Sequence, residues 1–95
     1  MAGSVQRLGD PNAGGGLIMS GDPTVLVNGR PIAVLGGSVS PHPPCPKPST
    51  HCRAQTQANQ FTVLVNGKPV ITTGAIDTCG HPRGIGSLDV IIGGS

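Results

Sequence analysis

The 95-residue chain has no Trp, no Tyr and no Glu, and its one aromatic residue is Phe61. Single-stranded nucleic acid is commonly held by bases stacking on aromatic side chains, so that route to function is closed. Without Glu, the carboxylates are four Asp. Asp10, Asp22 and Asp77 each precede Pro or Thr, where a carboxylate is expected to cap the N–H groups of a turn, and no general acid–base pair can be assembled from them. Charge is sparse as well. Six Lys and Arg against four Asp give a net charge of +2, scattered singly along the chain with no basic patch, so no nucleic-acid partner is expected. No apolar run approaches the ~20 residues of a transmembrane helix. The N-terminus lacks the charged and apolar regions of a signal peptide, so the protein is expected to stay in the cytoplasm until something else exports it.

Gly and Pro are plentiful: 16 and 10 residues, about a quarter of the chain. They disfavour helix and favour tight turns, short strands and extended segments. Leu, Ile, Val and Phe total 23, a small core for this length, so a staple or a partner is expected. Thr24-Val25-Leu26-Val27-Asn28-Gly29-Arg30-Pro31-Ile32 returns 38 residues later as Thr62-Val63-Leu64-Val65-Asn66-Gly67-Lys68-Pro69-Val70. Each copy reads as a β-hairpin turning on an Asn-Gly type I′ pair. The register puts Pro31 and Pro69 at non-hydrogen-bonded pairs, where a missing N–H costs the ladder nothing.

A third copy is split between the chain ends: Leu88–Gly93 resembles the first strand, and Val5–Asp10 the second. Pairing of the ends would close three hairpin units into a ring with pseudo-three-fold symmetry. Each unit leads into a Gly/Pro-rich excursion, residues 10–23, 37–60 and 74–87. Segments so poor in apolar residues are expected to stay ordered by wrapping each other or a metal. A ring one strand layer thick cannot bury both faces of its hairpins. An apolar base that includes Val65 is therefore expected to serve as a docking surface.

The second and third excursions hold every His and Cys of the chain: His42, Cys45, His51, Cys52, Cys79 and His81. Imidazole and thiolate are ligands that structural zinc prefers, and the prolines of Pro41-His42-Pro43-Pro44-Cys45-Pro46 pre-set an extended backbone. An odd cysteine count argues against a disulfide framework, although one Cys45–Cys52 bridge, or plain turn residues, is the alternative to metal. Ala13-Gly14-Gly15-Gly16 lacks the Gly-Lys-[Ser/Thr] ending of a phosphate loop and reads as a flexible or tight-turning segment. Cys79 and His81, two apart in a turn with no orienting third group, make a poor nucleophile–base dyad, so neither an enzyme nor a small-molecule substrate is expected.

These motifs, with Leu8-Gly9-Asp10 and Cys79-Gly80-His81-Pro82 added, resemble those of the PAAR-repeat proteins over essentially the whole chain. Gly9-Asp10 of the split copy stands as Gly36-Gly37 and Gly74-Ala75 in the other two. The resemblance implies an all-β, conical fold with a metal site near the apex. It also implies a structural tip that caps and sharpens the trimeric β-helical spike of a type VI secretion system or a phage tail. Such a tip would sit one per trimer, touch the target membrane transiently, and be delivered into the target envelope. The family's zinc site of three His and one Cys carries over to His42, His51, His81 and Cys79, holding one Zn ion with Fe as a substitute. Cys45 or Cys52 is the alternative thiolate. Residues 1–95 are expected to form a single PAAR-repeat domain without an effector extension. The rival reading is a free zinc-binding interaction module without a spike.

Overall fold

The computed structural model describes residues 2–43, 45, 51–87 and 89–93. Among them the strands are β1 (Ala2–Ser4), β2 (Asp22–Val27), β3 (Arg30–Ile32), β4 (Leu64–Val65), β5 (Lys68–Pro69) and β6 (Ile91–Gly93), with no α-helix and hence no helix able to cross a membrane. They form three antiparallel pairs, β2 with β3, β4 with β5, and β1 with β6, so the two ends of the chain complete the third hairpin-like unit. Asn28 and Gly29 (φ 53° and 80°) and Asn66 and Gly67 (φ 51° and 81°) have the left-handed backbone of type I′ turns. Leu26 faces Pro31 and Leu64 faces Pro69, the register that leaves each proline without a ladder bond to lose.

The units interlock through cyclic hydrogen bonding about a pseudo-three-fold axis. Backbone N–H groups of Gln6, Ala33 and Ile71 donate to the carbonyls of Ile71, Gln6 and Ala33 at 3.0, 3.0 and 3.1 Å, closing a triangle. The next layer repeats the pattern: Leu8 donates to Pro31, Leu35 to Pro69 and Thr73 to Ser4. Each unit then turns at a glycine with positive φ, Gly9, Gly36 or Gly74, and enters its excursion. The excursions are cross-linked in the same cyclic sense, Ala13 N–H to Pro82, Ser40 to Leu17 and Thr78 to Gln55. They do wrap one another. The result is a tapering body of 35 × 26 × 23 Å, the small conical all-β fold.

Two apolar clusters fill it. Val5, Ile32 and Val70, equivalent by the symmetry, pack with Val27 and Val34, and Val65 and Ile92 close against them. Ile18, Ala33, Ile71 and Ala75 form the second cluster towards the excursions. Val65 therefore turns inward, against its expected place on an exposed base. The run Val63-Leu64-Val65 is apolar throughout, so no alternation marks the inner face. The neighbouring positions are the outward ones: Leu26, Leu64 and Ile91 are 60%, 52% and 59% exposed, and Val25, Val63 and Val90 are exposed as well.

Candidate metal centre

The second excursion brings His42 and His51 together by pairing its two limbs, the His42 N–H donating to the His51 carbonyl at 3.1 Å. A disulfide between Cys45 and Cys52, with Cα atoms 5.3 Å apart, ties the same limbs just beyond the histidines. Bridge and ligand cluster had stood as alternatives for these cysteines, and they coexist. Both thiols are consumed by the bridge, which leaves Cys79 as the free cysteine.

In the third excursion a tight turn, Gly80 N–H to Asp77 carbonyl at 2.8 Å with Gly80 at φ 92°, carries Cys79 and His81 on either side. Ligand atoms of His42, His51, Cys79 and His81 all lie within 4.8 Å of one another. Bonds of about 2.0–2.3 Å to a central ion would set tetrahedral ligands roughly 3.3–3.8 Å apart, so the donors stand near that spacing or slightly wider.

The surroundings suit a metal. His42 Nδ1 lies 2.8 Å from the Ser40 carbonyl, which assigns the proton to Nδ1 and leaves Nε2 as the lone-pair nitrogen, 3.2 Å from His51 Nδ1. His81 Nε2 is buried and has no hydrogen-bond partner among the described residues. The three imidazoles gather with ring centroids 4.9–5.1 Å apart. Burial first, and then the neighbouring His81 and His42, hold the His51 pKa below its ordinary value of 6.5. An unpaired buried nitrogen, three converging imidazoles and a nearby sulfur are the donor set of a closed transition-metal site, and this cluster could hold a metal ion.

The first excursion contributes no ligand, yet it shapes the site. A Cβ on Gly14 would overlap the His81 ring, and one on Gly16 would stand 2.6 Å from His42 Nδ1. The Gly14–Gly16 stretch is thus a close-approach wall, tighter than a flexible loop. Beneath it Asp77 and Arg83 form a salt bridge at 2.6 Å with neither side chain exposed. The expectation for Asp77 as a turn-capping carboxylate is corrected here. Its side chain serves Arg83 and Asn12, whereas Asp10 and Asp22 do cap turns, accepting from the Arg7 and Thr24 N–H groups. Arg83, one of the scattered charges, is likewise interior and also donates to the carbonyls of Asp10 and Gly16. Sequence alone marked neither Asn12 nor Arg83, since lone polar residues beside Pro and Gly read as loop.

A family model for the PAAR motif matches residues 8–82, most of the chain. The chain belongs to the PAAR-motif family. PAAR proteins are associated with the spike tips of contractile injection systems, and their role there is structural. No curated protein matches the chain. The matched stretch takes in the first two excursions, the third as far as Pro82, and all four residues of the His/Cys cluster.

Proposed function

We propose that this PAAR protein is the tip that caps and sharpens a trimeric β-helical spike, one copy per trimer, and aids piercing of the target membrane by a type VI secretion system or phage tail. The observation that carries the reading is the threefold repetition of exposed apolar residues on the hairpins: Leu26, Leu64 and Ile91, with Val25, Val63 and Val90 beside them. A single chain with three near-equivalent apolar faces can satisfy three chains of a symmetric partner at once. Open strand edges at the end of a β-helix are a liability that such a cap would cover.

In the second and third excursions, His42, His51, Cys79 and His81 would hold one Zn²⁺, with Fe as the substitute. The ion would supply a cross-link between the second and third excursions. Its role is mechanical, and no residue is assigned a catalytic one. Tip assembly would follow synthesis in the cytoplasm, and delivery into the target envelope would follow firing.

The test is co-expression with a trimeric β-helical spike, followed by mass measurement of the complex and elemental analysis. One chain and one zinc per trimer is the expected result. A chain that carries zinc, stays monomeric and ignores the spike would fit the free zinc-binding interaction module instead.

A further inference from the structure

We infer that Asn12, which is no ligand itself, is a positioning residue of the metal centre, acting on Cys79 through an N–H···S bond and on the histidines through the glycine wall. The inference rests on reading His42, His51, Cys79 and His81 as the ligands. Asn12 is buried, and every hydrogen-bonding capacity of its side chain is used. Oδ1 accepts from the Gly14 and Gly16 N–H groups, each at 2.9 Å. Nδ2 donates to Asp77 Oδ2 at 2.9 Å and towards Cys79 Sγ at 3.8 Å.

The amide orientation follows from the partners. Two backbone N–H groups can face only the oxygen, and a carboxylate can face only the nitrogen, so the flipped amide would oppose like with like on both sides. The second Nδ2 proton is then directed at the sulfur, which acts as acceptor. A donor on a metal-bound thiolate withdraws charge from it and fixes its direction, the usual office of outer-shell partners.

The same side chain folds the wall. By holding Gly14 and Gly16 through one oxygen, Asn12 sets the stretch whose missing Cβ atoms leave room for the His81 and His42 rings. It thereby links the ligand-free first excursion to the second and third. Asp77, anchored by Arg83, holds Asn12 from the other side. One amide touches the surroundings of three of the four ligands.

The experiment compares wild type, Asn12→Ala and Asn12→Asp by zinc competition against a chelator and by the thiolate-to-metal charge-transfer band of the Co²⁺-loaded proteins. Asn12→Ala should weaken zinc about 10- to 100-fold and move the band to longer wavelength, because the sulfur regains the charge the donor withdrew. Asn12→Asp, which keeps the size but sets a carboxylate against Asp77 and the sulfur, should weaken zinc further. If neither variant folds, the wild-type protein loaded with ¹¹³Cd answers the question, since a through-bond correlation between cadmium and the Asn12 Nδ2 protons requires the N–H···S bond. Unchanged affinity and band position in Asn12→Ala, or no such correlation while the histidine rings give theirs, overturns the role of Asn12 alone. Wild-type protein that takes up neither Zn²⁺ nor Co²⁺ removes the metal centre itself.

Discussion

The Asp77 carboxylate meets the Arg83 guanidinium at 2.6 Å in a place where neither side chain reaches solvent. An ion pair so enclosed costs desolvation that its partners must offset, and removal of one partner leaves a buried charge alone. Asp77→Asn and Arg83→Met should each lose about 3–5 kcal/mol of stability. The double substitution Asp77→Asn with Arg83→Met should lose less than the sum. Urea titration of the three variants measures the coupling, and additive losses would contradict it.

Acid should loosen the apex of the metal-free protein. His51 has its pKa lowered in the folded state, so the unfolded chain binds the extra proton more readily. The stability tied to neutral His51 is therefore fully present above the ordinary histidine pKa of 6.5 and is lost as pH falls through the lower folded value. Melting temperatures of the chelator-treated protein should drop between pH 7.5 and 5, with a shallower drop in His51→Gln. Equal slopes would assign the acid sensitivity elsewhere.

Gly14→Ala and Gly16→Ala should displace the His81 and His42 rings, since each new Cβ would overlap an imidazole. Overpacking of this kind typically costs about 1–3 kcal/mol, and metal affinity should fall with it. Gly84→Ala, where a Cβ meets nothing within 4 Å, is the control and should leave melting temperature and zinc content as they are. Loss of zinc in the control would point to general fragility.

On the hairpins, Leu64→Asp and Val65→Asp separate docking from folding. Leu64 is half exposed, so its variant should fold normally and bind a spike trimer poorly, while Val65 packs on the core and its variant should be destabilised before docking is reached. Circular dichroism and binding to an isolated spike β-helix report the two effects. A Leu64→Asp variant that docks like wild type would place the interface elsewhere.

The parts of this fold that were legible in sequence are those where the repeat uses the same residue types. Thr-Val-Leu-Val-Asn-Gly announces both central hairpins, and the His and Cys residues announce the cluster by their scarcity elsewhere. Other equivalences are hidden by chemistry. Asp22, Gln60 and Ser87 occupy matching places and do the same work: Asp22 Oδ1 accepts from Thr24 N–H, Gln60 Oε1 from Thr62 and Val63, and Ser87 Oγ from Asp89 and Val90. A carboxylate, an amide and a hydroxyl share no pattern, so the symmetry of these turns emerges only in three dimensions. The side chains of Asn28 and Asn66 likewise reach Asp89 and Asp22 of the neighbouring units, a second use of the turn residue that turn propensity does not suggest. Arg83 and Asp77 were illegible for a different reason: burial of a charge depends on the partner that tertiary structure supplies.

The pairing of Ala2–Ser4 with Ile91–Gly93 has a consequence for biosynthesis. The two central hairpins are local and can form as they leave the ribosome, in microseconds once their residues are free. The third unit joins residues separated by nearly the whole chain, a closure whose entropy must be met before any of its contacts reward it. Until residue 93 has emerged, β1 lacks its partner and one side of the ring stands open. This fold thus closes only once residue 93 is free, with the apolar sides of its finished hairpins exposed to the cell in the interval.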